Sequence, residues 1–438
     1  MTEMVTLATL FFVGIDWGSQ EHRVVVLDAA GKQIRDWKIA HTGSGIADLV
    51  ERLSSLVDGA VERCQVGIEL KTGPIVEALI ERGFVVFAVN PKQTDRFRDR
   101  FTPSGAKDDR RDAMVLASAV RTDSEHLTRL SKTDSRTIEL RAMLRLRDEL
   151  VGDKARLVMR LRELLWRYYV QLVELADGDF DARWLWALWE KAPTPREGAA
   201  LSRPVVARLL RDHRIRRIDA AAVMAALKKP SLVVADGVEK ASTIHVRSII
   251  ERLRLLDAQV RAATRDIEQQ LTLWSKLSSA DVDTDESAAS DETASDDGEP
   301  SRCEQRDEVI LRSLPGVGTI TLATLLAEAG EPLGRRDYTA LRTMFGVAPI
   351  TRQSGNSRVV VMRRACSETL RNAAFNWARA AVDNDDRCRA RFEAHVARGA
   401  KKPAAYRAVA DSLLRVACAM LRSGTEYDPA RAARPRAA

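Results

Sequence analysis

The chain has 438 residues, enough for two or three domains, and its 45% hydrophobic and 30% charged residues describe a globular protein that leans helical. No apolar run is long enough to span a bilayer, and the start, Met1-Thr2-Glu3-Met4, lacks the basic region of a signal peptide, so a cytoplasmic location is expected. The net charge of +7 hides an asymmetry: residues 281–300 hold nine acids and no Lys or Arg, which leaves +16 on the remainder and points to a polyanionic partner such as nucleic acid.

The five cysteines, Cys64, Cys303, Cys366, Cys388 and Cys418, are scattered and never form a C-x-x-C pair. Neither a disulfide framework nor a zinc site is suggested, and they are expected to be reduced.

The first ~120 residues alternate between strand and helix patterns. An apolar run at 11–15 ends in Asp16-Trp17-Gly18, and a second at 24–27 follows a polar turn, which reads as a buried strand hairpinned onto its neighbour. A third strand is expected at 34–40, a helix at 46–56 behind Thr42-Gly43-Ser44-Gly45, and a strand at 64–70. Then come a helix opened by Pro74 and ended by Gly83, a strand at 84–89, and a short basic helix through Arg100. After a break at Thr102-Pro103-Ser104-Gly105, a further helix runs from Asp108 to about Val120. Three strands, then helix, strand, helix, strand and helix, is the order of a ribonuclease H-like α/β fold. Actin-like ATPases and sugar kinases open similarly, so order alone leaves the chemistry open.

Acids fall at telling places in this order. Asp16 would lie at the centre of the sheet, where it serves either as a turn cap with Gly18 or as a metal ligand. Glu69 ends the fourth strand, and Asp109 and Asp112 lie three apart, on one side of their helix. Taken singly, each reads more readily as a strand end or a first-turn acid, with Asp108 as the N-cap. Together they offer oxygen ligands for two Mg²⁺ ions.

From 134 to 175 the pattern is helical, with an apolar stripe and many arginines, and a second long pattern at 249–274 could return antiparallel to it. Between them, Trp184, Trp186 and Trp189 are expected in a core, while the basic run 211–217 is a candidate for phosphate contact. Residues 278–305, rich in Asp, Glu, Ser and Ala, form an acidic tether without apolar periodicity. The last part opens with Pro315-Gly316-Val317-Gly318 before a helix at 322–329, a turn whose backbone N–H groups could hold a phosphate or serve packing alone. Phe345-Gly346-Val347-Ala348-Pro349 and Gln353-Ser354-Gly355 follow, then strand-like 359–361, Arg363-Arg364, and helices at 366–382 and 406–421. Ser354 could be a nucleophile toward phosphate or ordinary turn chemistry.

These motifs, in this order, resemble the DEDD transposases of insertion sequences that lack conventional terminal inverted repeats, recombinases guided by a bridge RNA. The likeness rests on Gly14-Ile15-Asp16, Gly67-Ile68-Glu69, Asn90-Pro91, Lys107 to Ala113, Pro315 to Gly318, Phe345 to Pro349 and Ser354-Gly355. It implies a RuvC-like nuclease domain over 1–125 with Asp16, Glu69, Asp109 and Asp112 as Mg²⁺ ligands, Mn²⁺ being the alternative ion. It implies a coiled coil and helical insert over 126–277, the acidic linker 278–305, a mostly α transposase domain over 306–425 and a basic tail over 426–438. Ser354 would form a phosphoserine link to cut DNA, with the acids of one copy serving the serine of another in a dimer or tetramer. Lys107, Arg110, Arg111, Gly316, Gly318, Arg352, Arg358, Arg363 and Arg364 would contact nucleic acid. The partners implied are double-stranded donor and target DNA and a guide RNA, at the nucleoid of a prokaryotic cytoplasm, with no membrane. A resolvase or metal-dependent endonuclease that uses water as nucleophile is the alternative. Position 108 carries Asp where relatives carry Thr or Ser, and the acidic linker is longer than usual.

Overall fold

The computed structural model describes residues 10–100, 108–235, 237–280, 302–355 and 357–429, with side chains omitted at 274–280 and 302–306. Lys107, the break at 102–105, most of the acidic linker, Asn356 and the end of the basic tail lie outside the described residues. The chain divides into two compact units, the first reaching Thr133 and the second beginning at Asp134.

In the first unit, β1 (Phe11–Asp16), β2 (Glu21–Leu27) and β3 (Gln33–Ala40) precede α1 (Gly43–Leu56). Then come β4 (Cys64–Ile68), α2 (Pro74–Arg82), β5 (Val85–Ala88), α3 (Pro91–Asp99), α4 (Asp109–Asp123) and β6 (Thr128–Leu130). The sheet order is β3-β2-β1-β4-β5-β6, with β1 antiparallel to β2 and parallel to β4. The strand order anticipated from sequence is present, and β1 is central. The edge strand β6, antiparallel to β5, was not anticipated, because three residues are too few to carry a period-two signal. Helix α1 also starts three residues earlier than its apolar pattern, because the Thr42 hydroxyl accepts the Gly45 N–H at 3.1 Å and caps it.

Alternation along the strands sorts two cores. Val13, Ile15, Val24, Val26, Val66 and Ile68 pack with Leu49, Leu53, Ile75 and Leu79 from α1 and α2. Phe12, Val25, Leu27 and Phe87 pack on the other face with Ala113, Ala117 and Val120 of α4. Period two therefore turns Gly14 and Asp16, and on β4 Gly67, toward α4.

The second unit is mostly helical. Two long helices, α5 (Ser135–Tyr168) and a later one at Val238–Ala280, flank α6 (Val170–Ala176), α7 (Arg183–Lys191), α8 (Pro195–Ala200), α9 (Arg203–Asp212) and α10 (Ala220–Leu227). The later long helix, α11, runs antiparallel to α5: Lys154 Nζ meets Asp257 Oδ1 at 2.9 Å, and Arg147 Nε donates to Thr264 at 3.2 Å. Trp184, Trp186 and Trp189 are buried in the core of the intervening helices, as expected.

The C-terminal part follows as α12 (Arg302–Arg312), α13 (Thr319–Gly334), α14 (Tyr338–Met344), a hairpin of β7 (Ile350–Ser354) and β8 (Ser357–Val361), α15 (Glu368–Asn384), α16 (Asp386–Ala397) and α17 (Lys402–Ser423). Its core joins Leu140 and Leu144 of α5 to Ile267 and Leu271 of α11 and to α13, α15 and α17. Among the described residues no helix is long and apolar enough to cross a membrane.

Candidate active site

The site is built on the parallel pair β1 and β4. Their register sets Gly14 beside Gly67 and Ile15 beside Ile68, so the next residues, Asp16 at the end of β1 and Glu69 just past β4, lie on adjacent strands at the same end of the sheet. Neighbouring strands lie about 4.8 Å apart, which makes these two carboxylates neighbours from the backbone alone.

Helix α4 brings the other two acids. A Cβ on Gly14 would lie 1.9 Å from the Ala113 carbonyl oxygen and 2.5 Å from the Ala117 nitrogen; one on Gly67 would lie 2.6 Å from Val120 Cγ2 and 2.9 Å from the Leu116 oxygen. The two glycines, with Ala113 and Ala117 opposite, let the α4 backbone rest directly on the sheet. That close approach carries Asp109 and Asp112, in the first turn of α4, toward Asp16. Sequence reading found the four acids but missed why the glycines precede two of them. The signal was present as a repeated Gly-Ile-acid pattern at 14–16 and 67–69.

The electrostatics record the convergence. Burial raises the Asp16 carboxyl from 3.8 to about 7, and the charges of Asp112, Asp109 and Glu69 add to the rise, with Arg98 working against it. Arg98, from α3, donates through Nε to Asp112 at 2.7 Å and through Nη1 to Asp95 at 2.9 Å. It was not anticipated as part of the site, since only the fold sets α3 beside the start of α4.

Among the described residues no three His, Cys, Asp or Glu side chains are arranged to hold a metal ion. The donor chemistry nevertheless fits a hard divalent cation: four carboxylates share one region, and burial together with the charges of the other three raises Asp16. Asp108 caps α4 instead, accepting from Arg110 N at 3.3 Å.

Arg110 is half exposed and leans on β3, with Nε 2.7 Å from Asp36 Oδ2; Asp36 also holds Arg23, opposite Asp16 in the β1–β2 register, at 2.6 Å. Arg111 is partly buried on α4.

In the second unit, Ser354 is exposed at the end of β7, paired in register with Ser357 across a turn in which Gly355 has φ +54°. Arg352 and Arg358 lie on the same exposed hairpin. Arg363 Nε donates to the Ala348 oxygen at 3.4 Å, and Arg364 is exposed. Gly316 has φ +76°, and a Cβ there would lie 2.4 Å from the Ala381 nitrogen, so this glycine is required for packing. Trp377 Nε1 donates to the neighbouring Pro315 oxygen at 2.9 Å. Gly318 is the N-cap of α13, without a side-chain cap.

A mixed six-stranded sheet with this strand order, carboxylates gathered at one end of its central pair and a helical second unit are consistent with an enzyme built on a ribonuclease H-like fold. The DEDD transposase model of the IS110 type matches residues 13–170, and that of the transposase IS116/IS110/IS902 family matches residues 308–393. The chain is similar to the candidate transposase y4uE of Sinorhizobium fredii, 48% identical over 211 residues, which cover 48% of this chain and 58% of that one. It is similar over 97% of both chains to the mini-circle candidate transposase for IS117 of Streptomyces coelicolor, at 30% identity. An uncharacterized 43.6 kDa protein of insertion element IS110, also from Streptomyces coelicolor, is 25% identical over 95% of both chains. The chain belongs to the IS116/IS110/IS902 family of insertion-sequence transposases and is an enzyme of the DNA transposase and recombinase class.

Proposed function

We propose that this transposase cuts and rejoins DNA under the guidance of an RNA, through a phosphoserine link at Ser354 and with divalent metal held by Asp16, Glu69, Asp109 and Asp112. The observation that carries this reading is the parallel register that sets Asp16 beside Glu69, with α4 packed on Gly14 and Gly67 so that Asp109 and Asp112 come near; burial first, and then the charges of these three acids, raise the Asp16 carboxyl to about 7. When bound, Mg²⁺ or Mn²⁺, two ions in this reading, would supply Lewis acidity at the scissile phosphate and offset the carboxylate charge.

Ser354 Oγ would attack phosphorus, lose its proton to solvent or a nearby base, and displace a deoxyribose oxygen that leaves as a hydroxyl. One phosphoester bond replaces another, so the step can reverse onto a new strand without ATP. Exposure of Ser354 on a hairpin supports access by a DNA strand. In the proposal the acids of one copy serve the serine of another, in a dimer or tetramer, with α5 and α11 pairing as a coiled coil. Lys107, Arg110, Arg111, Arg352, Arg358, Arg363, Arg364 and the turn at Gly316 and Gly318 would hold backbone phosphates, while base pairing with the RNA selects the sequence.

The test is recombination between a donor and a target plasmid in the presence of the RNA that co-purifies with the protein. Wild type should yield a protein–DNA adduct that survives detergent and depends on intact RNA. Ser354→Ala should abolish the adduct and leave DNA binding intact. An adduct that persists in Ser354→Ala overturns the nucleophile. Hydrolysis by wild type to free 5′-phosphate ends, with no adduct, would favour a resolvase or endonuclease that uses water.

A further inference from the structure

The basic run at 211–217 has no task in the proposed reaction, yet it forms one wall of a cleft of about 410 Å³ among the helices between α5 and α11. The cleft is lined by Asp179, Arg183, Trp184, His213, Arg214 and Arg217, among others. We propose that this cleft binds a ribonucleotide unit of single-stranded RNA, with its phosphate held by Arg214, Arg217 and the start of α7.

Several independent features converge there. Helix α7 opens into the cleft at Ala182, with no side-chain cap and no acid in its first turn; Ala182 N donates to the Asp179 carbonyl oxygen and Leu185 N to the Ala182 oxygen, which leaves the Arg183 and Trp184 amides for an anion. Trp184, only 3% exposed, lines the same wall, and its indole N–H is buried without a partner. Arg214 follows the His213 cap of α9 with φ +55°, a left-handed position where helices favour glycine. The turn is closed by Ile215 N donating to the Leu210 oxygen at 2.8 Å. Retaining arginine at a position that glycine would fill without strain sets a guanidinium at the mouth of the cleft. Arg183 is committed to Asp257 at 2.8 Å, whereas Arg214 and Arg217 are exposed, with no side-chain partner among the described residues.

Asp179 and Asp212 decide the class of ligand. Both are exposed in the lining and would repel a bare anion. A ribonucleotide satisfies both kinds of wall: its phosphate accepts from the arginines, and its 2′-hydroxyl or base N–H donates to a carboxylate. A cleft of about 410 Å³ is the size of a single nucleotide, which an unpaired strand can insert.

The site requires neither the metal nor Ser354, so it is tested without cleavage. Binding of a fluorescent single-stranded RNA of about 12 nucleotides to the full chain would be followed by anisotropy in EDTA across a salt series. Arg214→Gly, which relieves the left-handed backbone, and Arg217→Gln should each weaken binding several-fold and reduce the salt slope by about 0.7 for each phosphate no longer neutralised. Arg214→Gly should melt no lower than wild type, which separates a binding effect from misfolding. Unchanged affinity and slope in both arginine variants would overturn the site. Equal losses for DNA of the same sequence would overturn the assignment to RNA.

Discussion

The approach of α4 to the sheet predicts the consequence of adding a single methyl group. In Gly14→Ala the new Cβ would meet the Ala113 oxygen at 1.9 Å and the Ala117 nitrogen at 2.5 Å, both main-chain atoms of a buried helix turn that no rotamer change can move aside. To restore ordinary contact at 3.4 Å the helix must retreat by about 1.5 Å. Overpacking of a rigid core costs roughly 1–3 kcal/mol, and a main-chain obstacle places this substitution at about 3 kcal/mol. The retreat would also withdraw Asp109 and Asp112 from Asp16, so DNA cleavage should fall by far more than the folded fraction. Urea unfolding of the full chain measures the first effect, and strand cleavage under conditions where the variant remains folded measures the second. Gly152→Ala is the control: in the interior of α5 its Cβ meets only Arg156 Nη1, at 3.7 Å, and stability should rise by about 0.5–1 kcal/mol. A Gly14→Ala protein as stable and as active as wild type would refute the claim that close packing positions the acids.

Other consequences concern charge. The folded-state carboxyl of Asp16, at about 7, lies above its ordinary 3.8, so the folded chain holds that proton more tightly than the unfolded chain. Metal-free protein should therefore lose stability as pH rises from about 4 to about 7, a slope absent from Asp16→Asn in thermal melts. Mg²⁺ should raise the melting temperature more at pH 8 than at pH 6, since the proton must leave before the ion is held. Arg98→Gln removes the bonds to Asp112 and Asp95 and should cost about 2 kcal/mol, with added Mg²⁺ recovering part of the loss in the same melts. Asp257→Asn weakens a hub that pairs with Lys154 at 2.9 Å, Arg183 at 2.8 Å and Arg261 at 3.2 Å, and should lower unfolding stability by about 2–3 kcal/mol. A loss below about 0.5 kcal/mol would mean that the three cations are served by solvent instead.

Much of the first unit was legible because its signals are local. Apolar runs separated by a polar turn marked β1 and β2, Pro74 and Gly83 bracketed α2, and Asn90-Pro91 opened α3 with a capping box. The second unit was less legible. The sequence pattern began the second long helix at 249, whereas α11 starts at Val238; α14 and β7 were missed because they carry too few residues to show a period, and α16, 12 residues long, because none of its residues is buried and it carries no apolar stripe. The hairpin that carries Ser354 was read only as a loop followed by a strand, since its pairing of Ser354 with Ser357 is set by the turn at Gly355.

The sequence by itself determined which residues could do chemistry: Asp16, Glu69, Asp109 and Asp112 carry the carboxylates wherever the chain places them. Their approach was decided by tertiary structure, through the parallel register of β1 with β4 and through two glycines with no side chain to hold α4 away. Arg98 entered the site and Asp108 became a helix cap for the same reason. A side chain's charge is a property of the residue, whereas the burial and the neighbouring charges that raise Asp16 depend on distances that only the packed helix and sheet can set.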